Sequence, residues 1–419
     1  MVRVDKRSRG RAIVPWPRRP PSKMVVLQLP PELWMEIVEG ATYIPGELDY
    51  RTYDPFQSPS ARNLEEAIVR ILPTRLSFTL VSRFFHNVAL RILYQTLFIT
   101  GCNRLWSIAR CLEANTTRCR MSPSAQEHAL LVKRIHFAAY GEKGWPRSFA
   151  KPISGTFEFP NLIIIGGNGN RLGSEEFGQF MRDHFLQRCS AARSIDGTWY
   201  SLVGRDLNHC LDFVQSHRNL KSLCSPLSWP MPTSTPVPDS FKDNVSRIEA
   251  LAIANFWPFA SVPLTTLPSL CAIRLIIFNI SNLHYIEALG ERVTFLDVSS
   301  SISLLINLEM FPNLRTFINR VGGEPRSRCI TRTPHPGLVQ VAFSDQYNMP
   351  RRRFKSGMTE FDDISLFPQL KQIRLIDLQV CRRFVHQNPS HVKLWVNTGL
   401  DKGIRLEAGD GRLLLDLIC

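Results

Sequence analysis

Ten times between residues 132 and 373 an apolar residue is followed three positions later by another, and this recurrence limits the folds open to the chain more than any other feature. The pairs are Val132/Ile135, Leu162/Ile165, Ala192/Ile195, Leu220/Leu223, Ile248/Leu251, Leu270/Ile273, Val293/Leu296, Leu314/Phe317, Leu338/Val341 and Leu370/Ile373. Six continue to a third apolar residue two further on: Phe137, Ile253, Leu275, Val298, Phe343 and Leu375. Proline supplies a more independent mark, two residues before the frame, at Pro160, Pro268, Pro312, Pro336 and Pro368. A proline there stops the preceding segment without taking a ladder hydrogen bond from the strand that follows. The pattern predicts repeats that each lay one short strand beside the last, with inward side chains filling a shared core.

Frame starts are separated by 21 to 32 residues, within or slightly beyond the range of about 20–29 for leucine-rich repeats. The Asn that closes each such turn is mostly missing, and Asn170 alone sits at the standard offset. Residues 130–380 therefore read as a degenerate leucine-rich-repeat-like array, an α/β solenoid. The rival is an irregular α/β domain with strands at the same places. Beyond it, VKLWV (392–396), GIRLEAG (403–409) and RLLLDLI (412–418) are expected to form terminal strands in a cap over 381–419, covering the open end of the array.

Upstream, the chain has another character. Leu29-Pro30-Pro31-Glu32 opens a helix, with proline in the first turn and Glu32 at the positive end of the dipole. Leu33, Trp34, Ile37, Val38 and Ala41 form its apolar stripe, and Gly40 and Pro45 are expected to end it. Residues 44–63, with Pro45, Asp49, Asp54, Pro55 and Pro59, read as an exposed loop. A short helix over 63–72 should start at Asn63 and stop at Pro73, followed by a longer one from Thr74 to Thr96. The apolar set of that helix (Leu76, Leu80, Val81, Phe84, Phe85, Val88, Ile92, Leu93) is too wide for one buried stripe, which calls for a partner on its second face. Residues 99–129 are expected to be a linker helix.

The pieces LPPEL, Ile37, L-V-S-R-F-F and A-L-R-I-L-Y, in that order, resemble the F-box, a small all-α module of three helices. The stretched form over 24–98, with loop insert 44–63 and a Y-x-P-G turn at Tyr43–Gly46, is similar to F-box-like proteins of mushroom-forming fungi. Many members carry Cys near Ser82 and Trp near Phe85, and this chain has neither. The resemblance implies a substrate-recognition subunit of an SCF-type cullin-RING ubiquitin ligase. Its module would dock on a Skp-type adaptor and through it on a cullin scaffold, while the repeats bind a protein substrate. Carried over by position, the adaptor face comprises Leu29, Pro30, Leu33, Ile37, Leu80, Val81, Arg83 and Phe84, with Val88 and Leu93 in the internal core.

The rest of the sequence narrows the alternatives. No run of about 18 apolar residues suggests a membrane span, and the ten cysteines include no CxxC. Reduced thiols in the cytoplasm or nucleus are the economical reading. No HExxH, histidine pair at i, i+4 or GxSxG is present. GGNGN at 166–170 lacks a following Lys-Ser/Thr and reads as a turn between repeats, as does Asp362-Asp363. The chain is accordingly expected to be no enzyme and to need no metal or cofactor. Formal net charge is +15. Residues 1–23 supply much of it, as a disordered basic tail. That tail is a solvated end, a nuclear or nucleic-acid tether, or a stretch upstream of a true start at Met24. Substrate contacts are expected at Arg351, Arg352 and Arg353, whose guanidinium groups suit acidic or phosphorylated groups. Trp229 and Trp257, at strand ends, join them. Two other classes stay open: an interaction scaffold without a ligase role, and a basic nucleic-acid-associated protein. A nucleic-acid role would need a basic face with interleaved aromatics, for which the one short run Arg351–Lys355 is thin support.

Overall fold

The computed structural model describes residues 29–51, 53–57, 61–100, 124–138, 159–168, 189–197, 216–224, 246–253, 267–275, 289–299, 307–321, 333–345 and 365–418, with a few single positions between them. Three helices come first: α1 (Pro31–Thr42), α2 (Ala61–Val81) and α3 (Arg83–Gln95). Then follow β1 (Thr96–Ile99), α4 (Ser124–Leu131), β2 (Arg134–Ala138), β3 (Ile164–Asn168), β4 (Ser194–Gly197) and β5 (Ser222–Cys224). After these come β6 (Ala250–Ile253), β7 (Ala272–Leu275), β8 (Phe295–Ser299), β9 (Thr316–Val321), β10 (Gln340–Asp345) and β11 (Gln372–Leu375). Helices α5 (Leu378–Gln387) and α6 (Pro389–Asp401) precede the last strand, β12 (Arg405–Ala408).

All strands among the described residues belong to one 12-stranded sheet whose spatial order is the sequence order. Every pairing between these strands is parallel. A parallel sheet in strict sequence order is solenoid-like, because each connection must climb over one face and advance one strand. The second residue of each of the ten frames falls in one register row, from Ile135 through Ile195, Leu251 and Phe317 to Ile373. Leu97 and Leu406 extend that row into β1 and β12, so the sheet begins inside the segment assigned to the helical module. The whole row lies in one continuous apolar core. Burying each such side chain contributes on the order of 1.5–3 kcal/mol.

The turns carry a ladder that the expected Asn pattern missed. Asn161 donates to the Leu130 carbonyl (2.7 Å), Asn219 to Ser190 (3.2 Å) and Asn313 to Glu291 (2.7 Å), each reaching back one repeat. These asparagines stand directly before the frame, not after it.

The opposite face of the sheet is also covered. Ala250, Ala272, Phe295, Ile318 and Ala342 on that face form a second apolar cluster with Ile376 and Tyr53, against which Phe56 packs. Ile44, Leu64 and Ile68 make a third with Phe98 and Ala138. The segment read as an exposed loop is thus irregular but largely buried: Ile44, Glu47, Tyr53 and Asp54 are all inside. Tyr53 stacks edge-on against Phe295 (5.2 Å), Arg374 lies over the Phe56 ring (4.7 Å) and donates to the Pro55 carbonyl (2.6 Å), and the Tyr50 hydroxyl donates to Glu249 (3.1 Å).

At the start of α2, Asn63 donates to the Ile376 carbonyl (2.7 Å), while Glu65, two residues on, meets His136 of β2 (3.1 Å). The inner faces of early and late strands therefore converge on one helical turn.

Several local expectations need correction. Gly40 lies within α1, which runs on to Thr42; the stop comes at extended Tyr43, ahead of Ile44-Pro45. Pro73 does not end a helix either, because α2 continues through it to Val81. One amide bond is lost there, but Leu64 and Ile68 anchor the helix before it and the Arg75–Glu47 pair after it. The break falls at Ser82, extended at φ −162°, ψ 168°, whose side chain accepts from the Phe85 amide and caps α3. VKLWV lies in α6, because Val392 and Val396 are buried at helical spacing with Leu394 exposed between them. GIRLEAG does supply β12, and RLLLDLI ends in a 3₁₀ turn, Leu414–Leu417. Gly166 to Asn168 belong to β3 and not to a turn. A Cβ on Gly166 would lie 3.0 Å from the Arg134 guanidinium, so the glycine makes room for a buried cation. Of the linker over 99–129, the structure describes its first two residues, a few isolated positions and the start of α4; most of the rest lies outside the described residues.

A Cβ at Gly409 would meet the Ile376 carbonyl oxygen at 2.0 Å and Asn63 Nδ2 at 2.5 Å. Gly409→Ala is expected to destabilise the protein by about 1–3 kcal/mol through overpacking. An unchanged urea midpoint would show that the ends of the sheet do not close on α2.

Candidate docking surface

Helix α1 divides its apolar residues between two faces. Val38 and Thr42 are buried and Trp34 half-buried, at successive i, i+4 positions. Leu33 and Ile37 form the neighbouring stripe and are 42% and 47% exposed. Inside, Val38, Ala89 and Ile92 form a small core with Phe78, Phe85 and Val88 packed against it. Of the expected internal core, Val88 packs against this cluster, and Leu93 is half-buried one position from Ile92. Phe85 is the hub. Its ring centroid lies 5.0 Å from Trp34, 5.8 Å from Phe84 and 6.3 Å from Phe78. One aromatic from each helix thus meets at Phe85, in edge and stacked geometries that add to the area buried.

Around the Ser82 break the chain turns apolar side chains outward. Leu80 is 85% exposed, Val81 63% and Phe84 40%, and Arg83 is exposed beside them. Of the expected adaptor face, Pro30 is exposed and Leu29 half-buried. The eight residues therefore fall into two groups, one on α1 and the two residues ahead of it, the other at the α2–α3 junction. The Trp34–Phe85 contact joins the helices that carry them. Two exposed apolar residues of α2, Leu76 and Val69, were not among the expected contacts. The breadth of the apolar set was the signal for Leu76. Arg351, Arg352, Arg353, Trp229 and Trp257 lie outside the described residues.

Charged pairs fix the helices to the sheet. Arg75 grips Glu47 through both carboxylate oxygens (3.0 and 2.7 Å) and donates to the Thr42 carbonyl (2.9 Å). The Glu47 carbonyl in turn accepts from Arg134 of β2 (2.8 Å). Burial pulls the Arg134 guanidinium down to about 10, with Asp196 and Glu47 opposing the shift. Burial likewise pushes His136 below its ordinary value despite the Glu65 carboxylate, which leaves Nε2–H of a neutral ring donating to Glu65.

Further along, Asp297 is fully buried between Arg274 (2.7 Å) and Arg320 (2.6 Å). Burial pushes its carboxyl up, but the two guanidinium groups outweigh that and hold it below the usual range. Arg374 and Gln372 both hold Glu407, and Gln340 and Thr316 continue that chain of side-chain hydrogen bonds across β9–β12.

Among the described residues there is no group of three or more His, Cys, Asp or Glu placed to hold a metal ion, and no helix long and apolar enough to cross a membrane. No protein-family model matches the chain, and no curated protein matches it.

Replacing Asp297 by Asn takes the shared, buried carboxylate away from two half-buried guanidinium groups, of which Arg274 also reaches Asp196. The variant is expected to lose about 3 kcal/mol at neutral pH, the low end for breaking a buried pair. Because the folded carboxyl lies below its unfolded value, its contribution is complete above about pH 4 and lost as pH falls through the folded value. The deficit of Asp297→Asn should therefore narrow in acid; a constant gap from pH 7 to pH 3 would contradict the clamp.

Proposed function

We propose that the chain is the substrate-recognition subunit of an SCF-type cullin-RING ubiquitin ligase, docking on a Skp-type adaptor through α1–α3. On this reading the three helices are the F-box-like module and the sheet is a degenerate leucine-rich-repeat-like solenoid that holds a protein target. The chain itself does no covalent chemistry. It contributes proximity, converting a bimolecular encounter into a local one.

One observation carries the reading. Leu33, Ile37, Leu80, Val81 and Phe84 are all at least 40% exposed. Isolated exposed apolar residues need no explanation, but several on one small helical unit are what a partner surface requires. They are also the residues that the F-box resemblance assigns to the adaptor. The unit is tied to the sheet by the Arg75–Glu47–Arg134 chain and by Asn63 and Glu65. That link would keep a captured target at a fixed distance from the cullin scaffold.

Co-expression with a fungal Skp-type adaptor, followed by size-exclusion chromatography, tests the proposal. A stable 1:1 peak is expected, lost in the Leu33→Ala/Ile37→Ala variant; each truncated side chain removes on the order of 1.5–3 kcal/mol of burial at the interface. Both positions are exposed in the free chain, so the variant should keep the circular dichroism of the parent. Two separate peaks from folded partners would leave an interaction scaffold without a ligase role.

A further inference from the structure

The face that a curved parallel sheet usually offers to partners is occupied in this chain by its own segment 44–57 and by α2. Target contacts must be sought elsewhere, and the rim where the strands begin has a distinctive charge. The residues just ahead of the strands form an unbroken hydrogen-bonded row, each amide donating to the carbonyl one repeat back, from Lys133 through Arg193, Lys221, Glu249 and Arg315 to Lys371. Arg193, Arg315 and Lys371 are exposed, and Lys133 and Lys221 partly so. The preceding turns add exposed Arg218, Arg247 and Arg292.

Among the described residues of the row and its turns the acidic side chains are Asp243, Glu249, Glu291 and Glu309, of which Glu249 is held by Lys221 at 2.8 Å and Glu309 by Asn307 and Thr333. Adjacent strands lie roughly 4.8 Å apart, and neutral Ile163, Cys271, Thr294 and Val339 stand among the charged members, so the cations are spaced at intervals along one edge of the array. The aromatic residues of the described turns, Phe159, Phe311 and Phe367, are buried in the core, so they offer no stacking platform of the kind single-stranded nucleic acid uses. The row starts at the Gln95 carbonyl, the end of α3, and is thus continuous with the proposed docking helices.

We propose that this rim binds an acidic segment of a protein target. Its role as the target site of a ligase receptor rests on the function proposed above; the binding itself does not.

The test uses fluorescence anisotropy of a labelled poly-glutamate peptide with the full chain. Arg193→Glu/Arg315→Glu/Lys371→Glu should weaken binding by more than about tenfold, because like charges then face the peptide. The equal charge change off the rim, Arg382→Glu/Arg383→Glu/Lys393→Glu, should weaken it far less. Equal losses in the two variants, no binding by the parent chain, or tighter binding of double-stranded DNA of matched charge would each overturn the proposal. The rim variant should still co-elute with the adaptor, and the Leu33/Ile37 variant should still bind the peptide. Failure of the parent chain to bind the adaptor would therefore count against the ligase reading alone, and absence of the rim effect against this one alone.

Discussion

An all-parallel sheet must be covered on both faces, and most of this structure follows from how the chain meets that demand. One cover comes from the connections between strands, which close over the apolar row running from Leu97 to Leu406. The other cannot come from the repeats, since they advance along a single face. The chain supplies it from its N-terminal part, laying residues 44–57 and the first half of α2 across the remaining surface. Small residues at Ala250, Ala272 and Ala342 leave room for Tyr53 and Phe56. Buried cations, Arg134 and Arg374, then satisfy main-chain carbonyls of the covering segment.

Electrostatics on that inner face follow from the same burial. A lone carboxylate or guanidinium there would be costly, and the chain places them in groups: Asp297 between two arginines, Glu407 between Arg374 and Gln372, Glu47 on Arg75. Such groups add less to stability than an apolar filling would. They fix geometry instead, because a guanidinium fork accepts a carboxylate in few orientations.

How much of this could be read from the sequence depended on the range of the contacts. The strands were legible because their signal is local: three-residue spacing, reinforced by a preceding proline in five of them, located all ten frame strands. The helix over 392–396 was misread because five residues cannot distinguish a strand from a turn of helix when the flanks are polar. Pro73 misled for a related reason, since the contacts that carry α2 through it come from Glu47, well upstream. Burial of the insert was invisible. Its proline and aspartate content does mark irregular backbone, but Tyr50 finds its partner 199 residues away and Pro55 finds Arg374 319 residues away. The exposed face of α1 was recovered only through a family resemblance. Periodicity alone gives Leu33, Trp34, Ile37 and Val38 as one stripe, and the structure divides it between solvent and the Phe85 cluster.

The bond from Asn63 to the Ile376 carbonyl spans 313 residues of chain, and that span has a meaning on the ribosome. At about 5–20 residues per second of synthesis, the start of α2 waits roughly a quarter of a minute to a minute for its partner to be made. Throughout that interval the helices, the apolar insert and the growing edge of the sheet all lack their final cover. Completion of the last repeat is thus the event that seals the molecule, and a nascent chain stalled before it would present both an open strand edge and unburied aromatic side chains to the cell's chaperones.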